Sequence, residues 1–439
     1  MTIAILAGVF LLLLLLRVPV AFSIGLASLA AMLVSLPFLP SASTLVQQTV
    51  TSSFTFALLA IPLFVLAGKL MAAGGVARRL IDCAQATVGW LPGGLAVTNV
   101  LSNLLFGSIS GSAAAAASGV GGFMIPAMTR EGYPRGFAAA LTAASSTSGL
   151  LIPPSNVLIV YALVAGGVSV GALFVAGYLP GLLLGLMLVV AAIAMSSAGR
   201  YGARLPFPGL RAWARSFVGV LPSLLLLVLV MGGIVGGLFT ATEASAVAVV
   251  YALVLVLGVY REISWRDLPR ILADTASTTG MVFILIGTSV SMAWIFAYAE
   301  VPVLIAAGLG ALGEHPWLVL LAINLILLAV GTFMDITPGV LIFTPIFLPV
   351  MTGLAPAFGL TETEMAYHFG ITMVFNLCLG LVSPPAGTTL FIAAGISHAS
   401  IAEISRPLLP IFAAGVAALM IVAYTPALTL YLPRLLGLL

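Results

Sequence analysis

The sequence predicts an all-α polytopic membrane protein built as an inverted repeat, with five transmembrane helices and one re-entrant hairpin in each half. Composition is the first observation: 62% of the residues are hydrophobic, 6% are charged, and the mean hydropathy is +1.27. Because lipid admits only a backbone that satisfies its own hydrogen bonds, such a composition favours membrane-spanning helices. The second observation is a repeated pattern of glycines and prolines.

The repeat is a spacing of helix-breaking residues, and the matched separations differ by at most one residue. The pairs are Gly107 to Pro126 with Gly331 to Pro349, Gly149 to Pro153 with Gly380 to Pro384, and Pro153 to Pro180 with Pro384 to Pro410. Helix breaks in corresponding positions of two apolar halves are typical of transporters that bind their cargo near the middle of the membrane.

Apolar runs bounded by proline, glycine or charge predict the membrane segments in chain order. They are 2–16, 19–36, 54–72, 92–128, 136–166, 171–197, 217–239, 243–260, 275–299, 315–352, 366–396 and 405–432. Segment 2–16 is interpreted as a retained helix, since it lacks the basic start of a signal peptide.

Four of these segments are interrupted. Segments 92–128 and 315–352 are too long for one crossing, and each arm of about 15–17 residues measures about 24 Å, short of the roughly 30 Å bilayer core. Both are therefore predicted to be re-entrant hairpins. Segments 136–166 and 366–396 contain Pro-Pro pairs, and each is predicted to cross once as two half-helices joined by unwound chain.

The basic residues orient the segments. Ten crossings and two hairpins, starting outside, place every lysine and arginine except Arg434 on the cytoplasmic side, as the positive-inside rule requires. Five crossings per half invert the second half, so hairpin 92–128 is predicted to enter from the cytoplasm and hairpin 315–352 from the opposite side. Their tips, 108–112 and 332–337, would meet near the middle of the membrane.

The polar stretch 199–216 is predicted to be a cytoplasmic linker between a first repeat, 1–198, and a second repeat, 217–439. Segments 75–90 and 301–314 precede the hairpins in matching positions. We expect them to lie on the membrane surface as arms that join a mobile unit to a fixed one.

The unwound segments predict two ion sites. Carbonyl groups freed by the prolines, together with nearby hydroxyls, are hard oxygen ligands that suit Na⁺. The first predicted sodium site comprises Ser108, Ser110, Ser112, Gly149 and Ser155. By repeat symmetry, the second comprises Thr332, Asp335, Gly380, Ser383 and Thr388.

A carboxylate substrate is predicted to bind between the ions. The half-helices that begin after Ser155 and Gly387 can direct their N-termini at an anion, so no fixed basic residue is needed there. The substrate candidates are Ser145, Ser146, Asn156 and Thr389.

Each of these side chains also has a structural interpretation. Serine and threonine in membrane helices commonly bond to backbone carbonyls or pack as small residues. Asp335 is the acidic residue placed deepest in the membrane, where it could bind an ion, carry a proton or cap a hairpin arm. Four asparagines are interpreted as hydrogen-bonding residues between helices: Asn99, Asn103, Asn324 and Asn376.

Other classes of protein fit the sequence poorly. The net charge of +3 comes from basic residues scattered in short loops, which does not indicate nucleic-acid binding. Cys83 and Cys378 are not spaced for a metal site, and a disulfide between them is not expected. No Walker loop, zinc pattern or intramembrane protease motif is present in the sequence. The chain is therefore predicted not to be an enzyme.

At its motifs the chain resembles the large membrane subunit, the DctM or M-type subunit, of the tripartite ATP-independent periplasmic (TRAP) transporters. The matching stretches are AIPLFVLAG (60–68), GSISGSAAA (107–115), 132–133 with 137–139, GLLIPPS (149–155), TATEA (240–244), 331–349, and SPPAG (383–387) with 390–391. The resemblance extends over nearly the whole chain.

The resemblance implies a multi-pass protein of the bacterial inner membrane with an elevator fold like that of the ion-transporter superfamily. It further implies Na⁺-coupled import of an organic acid, such as a C4-dicarboxylate or sialic acid, that a periplasmic substrate-binding protein (the P subunit) delivers. A small four-helix Q subunit is expected as a separate chain, with membrane lipid around both. The alternative is a related Na⁺- or H⁺-coupled anion carrier that works without a binding protein.

Overall fold

The computed structural model describes residues 2–53, 56–202, 206–309, 315–384 and 387–439, and the regular structure in these ranges is helical. The first half contains α1 (Thr2–Leu15), α2 (Val20–Ser35), α3 (Phe38–Ser53), α4 (Ala60–Ala73), α5 (Val76–Val88), α6 (Gly94–Ser110), α7 (Ala113–Gly119), α8 (Gly121–Arg130), α9 (Arg135–Ser148), α10 (Asn156–Ala165) and α11 (Val170–Gly199). The second half contains α12 (Leu210–Val235), α13 (Ala241–Leu253), α14 (Leu268–Tyr298), α15 (Val301–Leu309), α16 (Pro316–Gly331), α17 (Ile336–Gly353), α18 (Glu362–Gly380), α19 (Thr388–Ser397), α20 (Ile401–Tyr424) and α21 (Ala427–Leu435).

These helices confirm the all-α class. Six apolar helices in the described ranges are long enough to cross a bilayer: α11, α12, α13 with the π-helical turn Val254–Val259 that continues it, α14, α17 and α20. The shorter apolar helices include one part of each interrupted segment, namely α6, α10, α16 and α19. Their length follows from the breaks, since a helix that stops near the middle of the membrane needs only half the usual residues.

The four interrupted segments are divided where the glycine and proline pattern predicts. Hairpin 92–128 consists of α6, α7 and α8, and hairpin 315–352 consists of α16 and α17. Segment 136–166 divides into α9 and α10 around residues 149–155. Segment 366–396 divides into α18 and α19 around residues 381–387, where Pro385 lies outside the described residues.

Helix α3 lies outside the predicted membrane segments, between 19–36 and 54–72. Its sequence is rich in Ser, Thr and Gln, and contacts with α14 support it. The Oγ1 atom of Thr49 lies 3.2 Å from the Oγ atom of Ser291, which also donates to the Leu45 carbonyl at 3.2 Å. Tertiary contacts of this kind outweigh a weak local preference for helix.

The stretch between the two halves is shorter than the predicted linker, 199–216. Helix α11 ends at Gly199 and α12 begins at Leu210, so residues 210–216 are helical. Residues 203–205 lie outside the described part of the chain. The charges Arg211 and Arg215 therefore lie on the first turns of α12, where both side chains are exposed.

The helices pack as two groups. In one group α4 packs on α13 and α14, and α2 also packs on α14. In the other, α9 packs on α6, α19 and α20, while α18 packs on both arms of the second hairpin, α16 and α17. Helix α5 lies between the groups in contact with α12 and α6, and it meets α4 at a bend of 67°. Helix α15 contacts α14 on one side and α17 on the other.

The first halves of the broken helices form the centre of the second group. Every residue of α9 from Gly136 to Ser148 is buried, and so is every residue of α18 from Met365 to Gly380. The buried hydroxyls of α9 satisfy themselves locally, as Thr147 shows by donating to the Ala144 carbonyl at 2.9 Å. Both breaks are therefore carried on helices that are enclosed on all sides.

Candidate functional site

In the first half, the hairpin touches the helix break through backbone atoms. Gly107 on α6 faces Gly149, the first residue after α9. A Cβ atom added to Gly149 would lie 2.4 Å from the Gly107 Cα, and one added to Gly107 would lie 2.8 Å from the Gly149 Cα. Glycine is required at both positions, because any side chain would separate the two segments.

The same contact occurs in the second half. Gly331, the last residue of α16, faces Gly380, the last residue of α18. A Cβ atom added to Gly380 would lie 2.4 Å from the carbonyl carbon of Gly331, and one added to Gly331 would lie 3.1 Å from the Gly380 Cα. The glycine offsets in the sequence thus correspond to two equivalent backbone contacts between a hairpin and a broken helix.

An asparagine bond accompanies each glycine contact. Ser145 and Asn376 lie four residues before Gly149 and Gly380 on the broken helices. Asn103 donates from Nδ2 to the Ser145 Oγ at 2.9 Å, and Asn376 donates from Nδ2 to the Asn324 Oδ1 at 2.8 Å.

Asn99 forms a similar bond, since its Nδ2 donates to the Thr142 Oγ1 at 2.7 Å. Asn99, Asn103 and Asn376 thus donate to residues on other helices, and Asn324 accepts the bond from Asn376. This confirms that the four asparagines form hydrogen bonds between helices. Ser145 and Ser146 point into this packing instead of into an open site. Ser145 accepts from Asn103, and Ser146 donates to the Ala143 carbonyl at 2.8 Å.

The tip of the first hairpin is a tight turn between α6 and α7. Ser108 donates to the Leu105 carbonyl at 2.8 Å, and Ser110 donates to the Ser112 carbonyl at 3.4 Å. Ser112 is the N-cap of α7, where its Oγ accepts from the Ala115 N–H at 3.3 Å. Gly111 makes the turn with a φ of +61°, a conformation that favours glycine.

The first break presents oxygen atoms that the protein leaves without partners. The Ser155 Oγ and the Asn156 Oδ1 are buried, and neither has a hydrogen-bond partner among the described residues. Ser155 occupies the N-cap position of α10 without bonding to its N–H groups. Unpaired buried oxygens are costly and need an explanation. A bound cation would supply it, because hydroxyl and amide oxygens are hard ligands.

The hairpin tip, the first break and the first packing group meet at one narrow cleft. A Cβ atom added to Gly111 would lie 3.1 Å from the Asn156 Nδ2, so Asn156 borders the tip directly. On the other side, a Cβ atom on Gly68 of α4 would lie 2.6 Å from the Ser110 carbonyl oxygen. The lining of the cleft includes Ser110, Gly111, Pro154 and Asn156 together with Phe64. Gly68 and Gly111 were absent from the predicted site, although both lie in the matched motifs.

The second predicted site is more open. Thr332 and Ser383 line one cavity of about 340 Å³, together with Pro384, Leu408 and Phe412. Both hydroxyls also bond within their own helices. Thr332 donates to the Leu328 carbonyl at 3.0 Å, and Ser383 donates to the Leu379 carbonyl at 3.4 Å.

Asp335 is the N-cap of α17, and its Oδ1 accepts from the Ile336 N–H at 2.8 Å. The side chains of Asp335 and of Thr388, the first residue of α19, are exposed at the surface of the isolated chain. Thr389 is buried and donates to the Leu381 carbonyl at 2.9 Å. This bond joins the two ends of the second break. Thr332 and Ser383 are thus brought together, whereas Thr389 serves the fold of the break.

Two matching helix breaks, each in contact with a hairpin through a pair of glycines, lie within an apolar helical chain. This arrangement defines a polytopic membrane transporter. The profile of the family described as "Tripartite ATP-independent periplasmic transporter, DctM component" matches residues 7–428. The chain belongs to this family, and it is a multi-pass protein of the inner membrane and not an enzyme.

Three relatives show how far the similarity extends. The uncharacterized protein YgiK of Salmonella typhimurium is 49% identical over 99% of this chain and 97% of its own length. The C4-dicarboxylate TRAP transporter large permease protein DctM of Pseudomonas aeruginosa is 40% identical over 94% of each chain. The sialic acid TRAP transporter large permease protein SiaM of Vibrio cholerae is 36% identical over 89% of each.

A solved structure shares the fold. The YdaH transporter of Alcanivorax borkumensis superposes with a TM-score of 0.61 over 88% of each chain, at 15% sequence identity. An isethionate TRAP transporter permease protein, DctMQ of Oleidesulfovibrio alaskensis, is 37% identical over 97% of this chain, but the alignment spans 66% of that protein.

Proposed function

We propose that this chain is the large transmembrane subunit of a Na⁺-coupled importer of an organic acid, which a periplasmic binding protein delivers. The unpaired oxygens of Ser155 and Asn156 carry the proposal, because they lie at a helix break beside a hairpin tip. Na⁺ as a co-transported cargo would be held there with Ser110 and freed carbonyls. The predicted sodium site of the first half thereby gains Asn156, which the sequence had assigned to the substrate.

The second sodium site is proposed at the equivalent place in the second half, from Thr332, Asp335, Gly380, Ser383 and Thr388. The equivalence of the Gly331–Gly380 contact to the Gly107–Gly149 contact supports it. The exposed carboxylate of Asp335 would supply a negative charge that the first site lacks. Such a charge near the middle of the membrane is costly unless it serves a function.

Movement is proposed to follow the division into two packing groups. The hairpins and broken helices would slide as one unit past α1–α4 and α12–α14, in an elevator mechanism. Helices α5 and α15 touch both groups and would connect them. Charge distribution supports the inverted arrangement, in which each hairpin opens to a different side of the membrane.

An organic acid fits the substrate site between the ions. The N-termini of α10 and α19 can stabilise a carboxylate, as helix N-termini stabilise anions generally. Relatives are named for C4-dicarboxylates, sialic acid and isethionate. These share an acidic group on a small polar molecule. A small membrane subunit of the Q type is proposed as a partner, and the relative named DctMQ has about a third of its own length outside the matched region.

Reconstitution in proteoliposomes tests the proposal. The chain, its small subunit and the loaded binding protein are expected to accumulate the acid only when Na⁺ is higher outside. Undiminished uptake with Na⁺ absent from both sides would refute the coupling. Full uptake without the binding protein would favour the alternative, an anion carrier that works alone. Both controls use K⁺ at the same ionic strength, so that an effect of salt alone is excluded.

A further inference from the structure

We infer that a zwitterionic phospholipid with a phosphoethanolamine headgroup binds in a cavity between α5 and the second arm of the first hairpin. The cavity has a volume of about 530 Å³, within the range that ligand sites occupy. Its floor is apolar and includes Ile81, Leu95 and Met124, which are all buried. Its rim carries charges of both signs.

The charges come from two facing helices. On α5, Arg78 and Asp82 are one helical turn apart and line the cavity with exposed side chains. On the hairpin side, Arg130 ends α8 and Glu131 follows it, and both are exposed. The rim therefore offers two guanidinium groups and two carboxylates, with no net charge.

None of these four side chains forms an ion pair within the described part of the chain. The ion pairs found there within 4.0 Å are Arg79–Glu262 and Arg434–Glu364. Arg130 makes a single long contact, in which its Nε donates to the Pro126 carbonyl at 3.4 Å. The charges on the rim are thus available to a ligand that has charges of both signs itself.

The surroundings place this rim at the level of lipid headgroups. Near the end of α5, Trp90 donates from Nε1 to the Thr87 carbonyl at 2.9 Å, and Trp213 donates from Nε1 to the Thr87 Oγ1 at 3.2 Å. Tryptophans concentrate at membrane interfaces because their rings are amphipathic. Phe123 of the cavity wall is 52% exposed, so the apolar floor continues towards the acyl chains.

Headgroup chemistry selects among the lipids. A phosphate can accept from Arg78 and Arg130, and a primary ammonium can donate to Asp82 and Glu131. Phosphatidylglycerol would bring a second polar group that lacks a positive charge towards two carboxylates. Phosphatidylcholine has no N–H to donate. The site therefore fits phosphatidylethanolamine, at a joint between α5 and the hairpin.

Native mass spectrometry of the purified full-length chain tests this. Phosphatidylethanolamine, phosphatidylglycerol and phosphatidylcholine with identical acyl chains are added in equal amounts. The parent should retain phosphatidylethanolamine at least about fivefold better than the others, since each surface charge contributes about 1 kcal/mol, or fivefold. The double variant Arg78→Gln/Arg130→Gln should lose this retention, and Asp82→Asn/Glu131→Gln should shift it to phosphatidylglycerol.

The matched control is Arg211→Gln/Arg215→Gln, which removes two exposed charges from α12 outside the cavity. It should retain lipid as the parent does. The inference is overturned if the parent retains phosphatidylglycerol equally well, if the control loses as much as the cavity variant, or if both cavity variants behave as the parent. Each variant replaces exposed side chains without ion pairs, and size-exclusion chromatography verifies its fold.

Discussion

The two helix breaks share a backbone contact but differ in their surroundings. At the first break Ser155 is fully buried, and Gly68 of α4 approaches the hairpin tip closely. At the second, Asp335 and Thr388 are exposed. The glycine contact is therefore a property of the repeat. How far each set of oxygens is enclosed depends on its position relative to the first packing group.

This difference assigns different chemistry to the two halves. An enclosed set of neutral oxygens, such as Ser155 and Asn156, can hold a cation only by replacing its hydration shell. A carboxylate such as Asp335 adds a negative charge that attracts a cation. If both sites hold Na⁺, we expect the second to bind it with the help of this charge and the first to bind it through neutral oxygens alone.

The largest expected effect comes from the contact that both breaks share. In Gly149→Ala the new methyl group would lie 2.4 Å from the Gly107 Cα, and in Gly380→Ala it would lie 2.4 Å from the Gly331 carbonyl carbon. The hairpin must move away in both variants. Overpacking costs about 1–3 kcal/mol, so Na⁺-driven uptake in proteoliposomes should fall by about tenfold or more.

The matched controls for these variants are Gly122→Ala on α8 and Gly395→Ala on α19, where the added Cβ would meet no atom within 4 Å beyond the backbone of its own helix. They should transport as the parent does and gain up to about 1 kcal/mol of stability, because alanine favours helix over glycine. If all four variants transport equally well, the backbone contacts are not needed for function.

Asp335 sharpens the comparison, because the first break has no acidic counterpart. Asparagine is also a good N-cap, so Asp335→Asn keeps the cap of α17 while it removes the charge. If the charge binds the ion, this variant should lose roughly tenfold in uptake, in line with about 1.5–3 kcal/mol for a charged interaction. Its melting temperature without Na⁺ should match that of the parent.

Asp335→Ala separates the two roles, because it removes both the charge and the cap. Normal uptake by Asp335→Asn together with loss in Asp335→Ala would show that the side chain is a structural cap. Equal loss of uptake in both variants would support the ion site.

Ser155→Ala tests the enclosed break. The Ser155 Oγ has no partner in the described protein, so its removal breaks no hydrogen bond and should not lower stability in Na⁺-free buffer. The Na⁺ dissociation constant should rise about fivefold, as expected for a contribution near 1 kcal/mol. The measurement is the rise in melting temperature as Na⁺ replaces K⁺, which reports binding to the folded state.

Ser145→Ala provides the contrast on α9, the buried helix that precedes the first break. It removes the acceptor of the 2.9 Å bond from Asn103, so stability should fall by about 0.5–1.5 kcal/mol with and without Na⁺. An unchanged Na⁺ response in Ser155→Ala would remove that residue from the ion site.

The breaks could be predicted from the sequence because their cause is local. Proline removes an N–H wherever it stands, and the matched glycine offsets correspond to contacts that only glycine permits. Thr389 shows the limit of this reasoning, since it follows the exposed Thr388 directly yet is buried against the Leu381 carbonyl. Which of two adjacent hydroxyls faces a site depends on helix rotation, which spacing alone does not determine.

Features that depend on distant segments were harder to predict. Helix α3 is polar in sequence and is supported by α14, about 240 residues away, through bonds such as that from Ser291 to the Leu45 carbonyl. The unpaired oxygens at Ser155 and Asn156 are likewise visible only after packing has satisfied their neighbours. The sequence therefore predicted the positions of the breaks better than the hydrogen bonding of the side chains around them.

The smallest expected effect concerns α5, the predicted arm of the first half, whose first turn contacts Tyr260 and Glu262 through Arg79. The guanidinium carbon of Arg79 lies 3.8 Å from the ring centroid of Tyr260, and its Nη2 lies 2.9 Å from a carboxylate oxygen of Glu262. Arg79→Lys can keep the ion pair but loses the planar stacking, so stability should fall by about 0.5–1 kcal/mol.

Tyr260→Phe, which keeps an aromatic ring, should preserve the stacking while it breaks the 2.8 Å bond to Ser223. If α5 belongs to the fixed unit, Arg79→Lys should alter the melting temperature and leave the Na⁺ response unchanged; a shift in the Na⁺ response would instead place α5 with the hairpins.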